Sequence, residues 1–445
     1  MLTRSPVWRV VVALLVLSVL LALLYGGVRG YYSWDYFTLW GTHAKWVWAT
    51  GRFFLPGSEL PIPFPYQSVL GSVVGSLSRL VWPEEYPDSL FGLANVMLVT
   101  TLWALACWQA THAWRHDREQ GFILGVIALG LIRPVEWSQI TWGGYQDLSA
   151  ALALALGVLA LLDGRLRHYV GWALVGLALR PVNWPWWILA GGIWSLREIP
   201  RDLISRRSLW ALSVPVGAFL VIKLAYHSTF LHPMLSTHPS DYSLAERLLI
   251  PWGILKTQTG ALALLLALAI HKRREGLQLG LFLVAAFAYL VLIYTFVMGR
   301  TGTETYASIH RYTLPVYLVS VFACLRGSEL EFNRQPRLRV LSLGLLCLVG
   351  FVRALEDVPR VSREGGIAAL ASFPNRYPDA LAQAAAMRDA AQALPPTCTT
   401  YLWDADAQLD QLRAAYTAVP LRIYFRESLS AEGNEKRCPL DPGVR

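Results

Sequence analysis

Asp35 is the first residue in the chain whose setting suggests chemistry. It lies in Gly30-Tyr31-Tyr32-Ser33-Trp34-Asp35-Tyr36-Phe37-Thr38-Leu39-Trp40, one carboxylate among six aromatic residues just after the first apolar run. Aromatic rings gather where a membrane span meets water. Rings around a carboxylate restrict water, and partial burial turns a carboxylate into a better base. The competing role is a helix cap, because an amphipathic segment, 36–50, follows directly.

A second carboxylate, Asp147, closes Trp142-Gly143-Gly144-Tyr145-Gln146-Asp147. The two glycines allow a tight turn, and Asp147 then stands at the start of a helix, as a cap or as a reactive group. Basic residues collect toward the same side of the chain's spans: Arg133 (with Glu136), Arg180, Lys223, Lys256 and Arg311. Ionisable residues at membrane depth are costly and point to function. A one-sided basic cluster at headgroup depth suits a lipid phosphate, which arginine grips with a planar fork. The plainer readings are an i,i+3 pair for Arg133 and Glu136 and side chains snorkelling to the interface.

Other constellations carry less. His227, His232 and His238 have spacings that fit no helical metal-ligand pattern, so a divalent metal is not expected. Glu84-Glu85 lies in a proline-flanked turn and is read as solvated. The sequence has no phosphate-cradling glycine loop, no nucleotide-binding motif and no cysteine cluster. No bound cofactor is expected, and an activated substrate must arrive already energised.

The elements that position these groups are membrane spans. The chain is 55% hydrophobic and 16% charged, with mean hydropathy +0.40; a soluble protein carries about 25% charged residues. Apolar runs of about 18 or more residues recur, long enough to cross a bilayer. The fold class expected is an all-α polytopic membrane protein with about eleven transmembrane helices: 7–26, 88–113, 120–138, 147–162, 167–180, 182–196, 209–230, 249–270, 277–298, 312–325 and 338–355. Arg4 and Arg9 flank Val10 to Leu24 with no small-residue cleavage site after them, which reads as an uncleaved signal anchor.

Loops assigned to the cytoplasm then hold sixteen Lys and Arg residues against six in the outer loops before the tail, placing the N-terminus inside and the C-terminus outside. The net charge of +9 needs no nucleic-acid partner. Making 64–82 a span would move the basic Trp114-Arg115-His116-Asp117-Arg118 loop outside and reverse the bias. Segments 36–50 and 64–82 are therefore laid along the outer face as interfacial helices, broken by Pro56, Pro61, Pro63 and Pro65.

Residues 1–355 form the transmembrane domain, and 356–445 a small exported α/β domain. Pro378 to Leu394 and Asp406 to Ala418 read as helices, and Thr399 to Trp403 and Leu421 to Phe425 as strands. Cys398 and Cys438 fall in this tail and either pair, in an oxidising compartment, or stay free. Cys107, Cys324 and Cys347 lie within spans and are read as core.

Four motifs resemble those of the GT-C superfamily of integral-membrane glycosyltransferases, which includes the bacterial aminoarabinose and mannosyl transferases. They are Ser33-Trp34-Asp35 followed by Trp40-Gly41-Thr42-His43-Ala44-Lys45, then Pro61-Ile62-Pro63-Phe64-Pro65-Tyr66, then Gly144-Tyr145-Gln146-Asp147-Leu148-Ser149-Ala150, and His310-Arg311-Tyr312-Thr313-Leu314-Pro315. The similarity covers roughly residues 1–325. It implies inverting transfer of a sugar from a polyprenyl-phosphate donor to an acceptor hydroxyl at the outer face of a bacterial-type plasma membrane.

By that resemblance Asp35 is the base, with Asp147 as a second catalytic candidate. Arg311, Arg180, Lys256, Lys223 and Arg133 would hold the lipid phosphate. Trp34, Tyr66, Tyr145 and His310 would make further substrate contacts. Many members carry an Asp-Glu pair where this chain has Asp35-Tyr36, so one acidic group is missing.

The partners implied are membrane lipid, the lipid-linked donor, and a glycan, lipid or protein acceptor. Two other classes stay open. A transporter or flippase of an anionic lipid would also use outward basic residues, but should show repeats and midplane charges, and neither is present. A non-catalytic scaffold would explain the tail but not the aromatics and carboxylates of the first loop.

Overall fold

The computed structural model describes residues 40–54, 68–84, 86, 88–110, 146–195, 206–225, 273–293, 302–331, 400–403 and 422–425, with short runs between 245 and 265 and position 348. Nine helices appear among the described residues: α1 (Gly41–Thr50), α2 (Val69–Val81), α3 (Asp88–Ala110), α4 (Asp147–Leu162), α5 (Leu166–Leu179), α6 (Trp184–Ser195), α7 (Arg206–Ala225), α8 (Arg273–Leu292) and α9 (Gly302–Glu331). A single 3₁₀ turn, Pro181–Asn183, joins α5 to α6. Two short strands, β1 (Thr400–Trp403) and β2 (Arg422–Phe425), pair in parallel with Thr400 opposite Arg422 and Trp403 opposite Phe425.

Helix α4 is the centre of the bundle. Its sequence, DLSAALALALGVLALL, is almost wholly alanine and leucine, and all but one of its residues are buried. It packs against α5, α9, α3 and α6. Small side chains let several helices approach one axis closely, which is how packing is gained where lipid supplies no hydrophobic drive. The same device seats Trp187 of α6: a Cβ on Gly157 or on Gly176 would come within 2.5 Å of its indole. Only glycine on α4 and α5 leaves room for that ring. Tyr169 fixes the wedge by donating from its hydroxyl to the Trp187 carbonyl at 2.5 Å.

The far end of α4 is tied electrostatically. Arg326 of α9 pairs through Nη1 with Asp163, the residue that follows α4, and both side chains are largely buried. The same nitrogen reaches the Leu159 carbonyl at 3.4 Å.

Outward faces are apolar. Leu220, Val221 and Leu224 on α7, and Leu277, Leu281, Val284 and Leu292 on α8, are exposed. Exposed apolar surface on this scale marks a surface meant to be covered. Leu90–Ala110 and Arg274–Leu292 are long and apolar enough to cross a bilayer.

Helices α1 and α2 form an amphipathic pair beside the bundle. Ser68 caps α2, its hydroxyl accepting from the Gly71 N–H at 3.1 Å. The face of α2 toward α1 is small: Gly71, Ser72, Gly75 and Ser78 are buried, while Leu77, Leu80, Val81 and Trp82 face outward. At Gly75 a Cβ would lie 2.3 Å from the Ala44 carbonyl oxygen and 2.8 Å from the Val47 Cβ. Backbone cannot yield as a flexible side chain does. Gly75→Ala should therefore cost about 1–3 kcal/mol as overpacking, seen as a lower thermal midpoint of the detergent-purified protein. An unchanged midpoint would mean that the two helices separate freely.

Helix α1 ends at Gly51, where φ is +71° and the amide returns to the Val47 carbonyl. Arg79 of α2 donates to the neighbouring Trp48 carbonyl at 2.8 Å. Thirteen residues make α2 about 20 Å long, short of the ~30 Å hydrocarbon core.

The spans read at 88–113, 147–162, 167–180, 182–196, 209–230 and 277–298 fall on α3 to α8, with ends moved by a few residues. One boundary needs correction. The span expected at 312–325 is the later part of α9, which begins at Gly302. Its opening, Gly302-Thr303-Glu304-Thr305, is polar, so hydropathy misses a segment that is nonetheless helical. Spans 7–26 and 120–138 lie outside the described residues, and 249–270 and 338–355 are described only in part. Cys107 and Cys324 are buried in the bundle, as read from the sequence; Cys347, Cys398 and Cys438 lie outside the described residues.

A candidate phosphate site at the head of α4

Arg180 precedes Pro181, and that sequence dictates its place. Proline removes an amide donor and pushes the preceding residue out of the helical region. Arg180 accordingly leaves α5 with φ −144° and ψ 89°. Its side chain runs into the bundle, where it is 5% exposed. Nε meets Oδ1 of Asp147 at 3.0 Å, and the guanidinium carbon lies 5.4 Å from the centroid of the Trp40 ring. That is within the range of a cation–π contact. Nη1 is buried and has no hydrogen-bond partner among the described residues.

Asp147 is the first residue of α4, and Gln146, at the N-cap position, makes no side-chain capping bond. A carboxylate in a first turn gains from the positive end of the helix dipole. Here it also faces a guanidinium. Two residues read separately from the sequence, one as a catalytic candidate and one as a phosphate contact, are thus brought into one buried ion pair.

A polar seam runs from this pair to the outer helices. The Gln146 amide donates to the Ser68 hydroxyl at 2.8 Å. The Ser68 N–H approaches Nδ1 of His43 at 3.5 Å, and Nε2 of His43 lies 3.5 Å from the Ser72 hydroxyl. An accepting Nδ1 puts the ring proton on Nε2. His43 fits because Gly71 has no side chain; a Cβ there would stand 2.8 Å from Nδ1.

Burial pushes the pKa of His43 down to about 3, so the folded protein holds this ring neutral. The unfolded chain takes up a proton near pH 6.5 and the folded one does not. Stability is therefore full above about pH 6.5 and falls as pH drops toward 3, by up to about 1.4 kcal/mol per pH unit for one proton. Thermal midpoints between pH 7.5 and 5 should show this decline, and His43→Gln should flatten it. An unaltered slope in His43→Gln would assign the decline to other groups.

Lys223 is half-buried in the last turn of α7, and Lys256 is exposed in 251–256. Neither takes part in the contacts just described. His310 and Arg311 stand within α9, one turn before Pro315. Asp35, Trp34, Tyr66, Arg133 and Tyr145 lie outside the described residues. The sequence reading singled out no chemical role for Trp40, His43, Ser68 or Gln146. The available signal was the spacing of Gly71 and Gly75 after a capping Ser68, which predicts a helix face that another helix can approach.

No protein-family model matches the sequence, and no curated protein is similar enough to count as a relative. Among solved structures, ArnT from Cupriavidus metallidurans, crystallised with undecaprenyl phosphate, is similar over 95% of this chain and 86% of its own, with a TM-score of 0.54 and 14% identity. The likeness is one of fold, and it is to a GT-C glycosyltransferase, the group the motifs resemble. The chain is a helical membrane protein with an ArnT-like fold.

Proposed function

We propose that the chain is a GT-C-type glycosyltransferase of the bacterial inner membrane, moving a sugar from a polyprenyl phosphate to an acceptor hydroxyl at the outer face. The observation that carries this reading is a fold shared along 95% of the chain with a protein whose structure holds undecaprenyl phosphate. A buried arginine at one end of the central helix supports it, with a terminal nitrogen that has no hydrogen-bond partner among the described residues. Asp35 takes the proton of the acceptor hydroxyl, which attacks the anomeric carbon and inverts it. The departing lipid phosphate is stabilised by Arg180 and Arg311, the electrostatic contribution that is often largest.

The order of spans supports that pairing of arginines. With 249–270 crossing, α4 and α9 run the same way through the membrane. Arg311 lies fifteen residues before Arg326, and Asp147 sixteen before Asp163. At about 1.5 Å per residue, the Arg326–Asp163 tie then sets Arg311 and Asp147 at nearly one depth. The topology has eleven spans, N-terminus in and C-terminus out, with α1 and α2 on the outer face and 356–445 exported. Arg79 on α2 adds one outward basic residue to the six and leaves the charge bias intact.

The test is transfer itself. The purified protein, given undecaprenyl-phosphate sugars extracted from cells, should consume one of them, and envelope glycans from cells lacking the gene should lose one residue by mass spectrometry. Intact donors and unchanged glycans would refute the reading.

A further inference from the structure

We infer that Asp147 is a positioning residue, which with Trp40 aims Arg180 at a phosphate oxygen of a polyprenyl phosphate, and that it moves no proton. The inference rests on the proposed function for the identity of the ligand; the arrangement of Asp147, Trp40 and Arg180 is observed independently of it. Three features of the guanidinium carry it. Nε is taken by Asp147 Oδ1 at 3.0 Å. The guanidinium carbon lies over the Trp40 ring, 5.4 Å from its centroid. Nη1 remains, buried and without a hydrogen-bond partner among the described residues.

A buried charged donor left without an acceptor is costly, and an anionic oxygen is what satisfies it. The backbone turn at Arg180-Pro181 fixes the root of the side chain, while Asp147 and Trp40 fix its plane and its far end. A guanidinium so held presents its terminal nitrogen in one direction. Its orientation is settled before ligand arrives, which is how a site avoids ordering costs on binding. Asp147 places Oδ1 on the cation that it aims.

The experiment uses full-length protein in detergent, undecaprenyl phosphate as the binding probe, and sugar transfer as a separate readout. Asp147→Asn keeps an acceptor for Nε but drops the charge. Its affinity for undecaprenyl phosphate and its donor KM should worsen about tenfold, the scale of one charge-assisted hydrogen bond. Its kcat at saturating donor should change less, and the acid limb of its pH–rate profile should stay in place.

Trp40→Leu, with Asp147 intact, should weaken binding in the same direction. Asp147→Asn combined with Arg180→Lys should bind no worse than Arg180→Lys alone, because the two residues act as one unit. A kcat loss of a hundredfold or more in Asp147→Asn, with unchanged probe binding and a lost acid limb, would make Asp147 a proton carrier and overturn the inference. Wild-type probe affinity in Asp147→Asn and Trp40→Leu would overturn it too. Tight probe binding by a wild-type protein that transfers no sugar would refute the transferase and leave this site standing; no binding at all would refute both.

Discussion

Asp35→Asn is expected to lower sugar transfer by about 10² to 10⁴, the usual contribution of a general base. The substitution is nearly isosteric, and asparagine caps a helix about as well as aspartate. It removes only the ability to accept a proton. Folding and undecaprenyl-phosphate binding should therefore persist, with thermal midpoints close to wild type. The role of a mere cap forecasts the opposite, with transfer preserved. Rates measured on variants of matched thermal stability decide between the two, and near-normal transfer would remove Asp35 from the mechanism.

Arg326→Ala should be the most damaging single change to stability. It would strand the largely buried carboxylate of Asp163 at the end of α4, and breaking a buried pair costs about 3–5 kcal/mol. Replacing both partners with leucine should restore most of the loss, because the penalty comes from the uncompensated charge. Denaturation of purified single and double variants measures it. A cost below about 1 kcal/mol for Arg326→Ala would mean that Asp163 is solvated and that the tie contributes little.

The central helix was legible because its ends are marked. The sequence puts two glycines, Gly143-Gly144, shortly before Asp147, and the helix stops at Asp163-Gly164, with Gly164 at φ +72°. The break at Arg180-Pro181 was legible for the same reason. Lateral neighbours were not. Asp147 and Arg180 lie thirty-three residues apart, and periodicity says which face of a helix is apolar, not which helix it meets.

Trp40 and His43 were read as part of a mixed surface segment, yet both are buried. What sinks His43 is the glycine and serine face of α2, and Trp40 lies under Arg180, each a property of a different stretch. In α2 the glycines and serines mark a face that another helix can approach closely. The polar opening of α9 escaped notice for the converse reason: hydropathy reports what lipid or core will accept, while the hydrogen-bonded backbone continues regardless.

Both ends of α4 deliver an acid to an arginine from a neighbouring helix, Asp147 to Arg180 and Asp163 to Arg326. Each pair sums to zero. A membrane potential does about 2.3 kcal/mol of work per 100 mV on each elementary charge it moves across the bilayer. Moved together with its two arginine partners, α4 carries these pairs through the field as neutral units; sliding alone past α5 and α9, it would take two negative charges with it and feel the energised membrane.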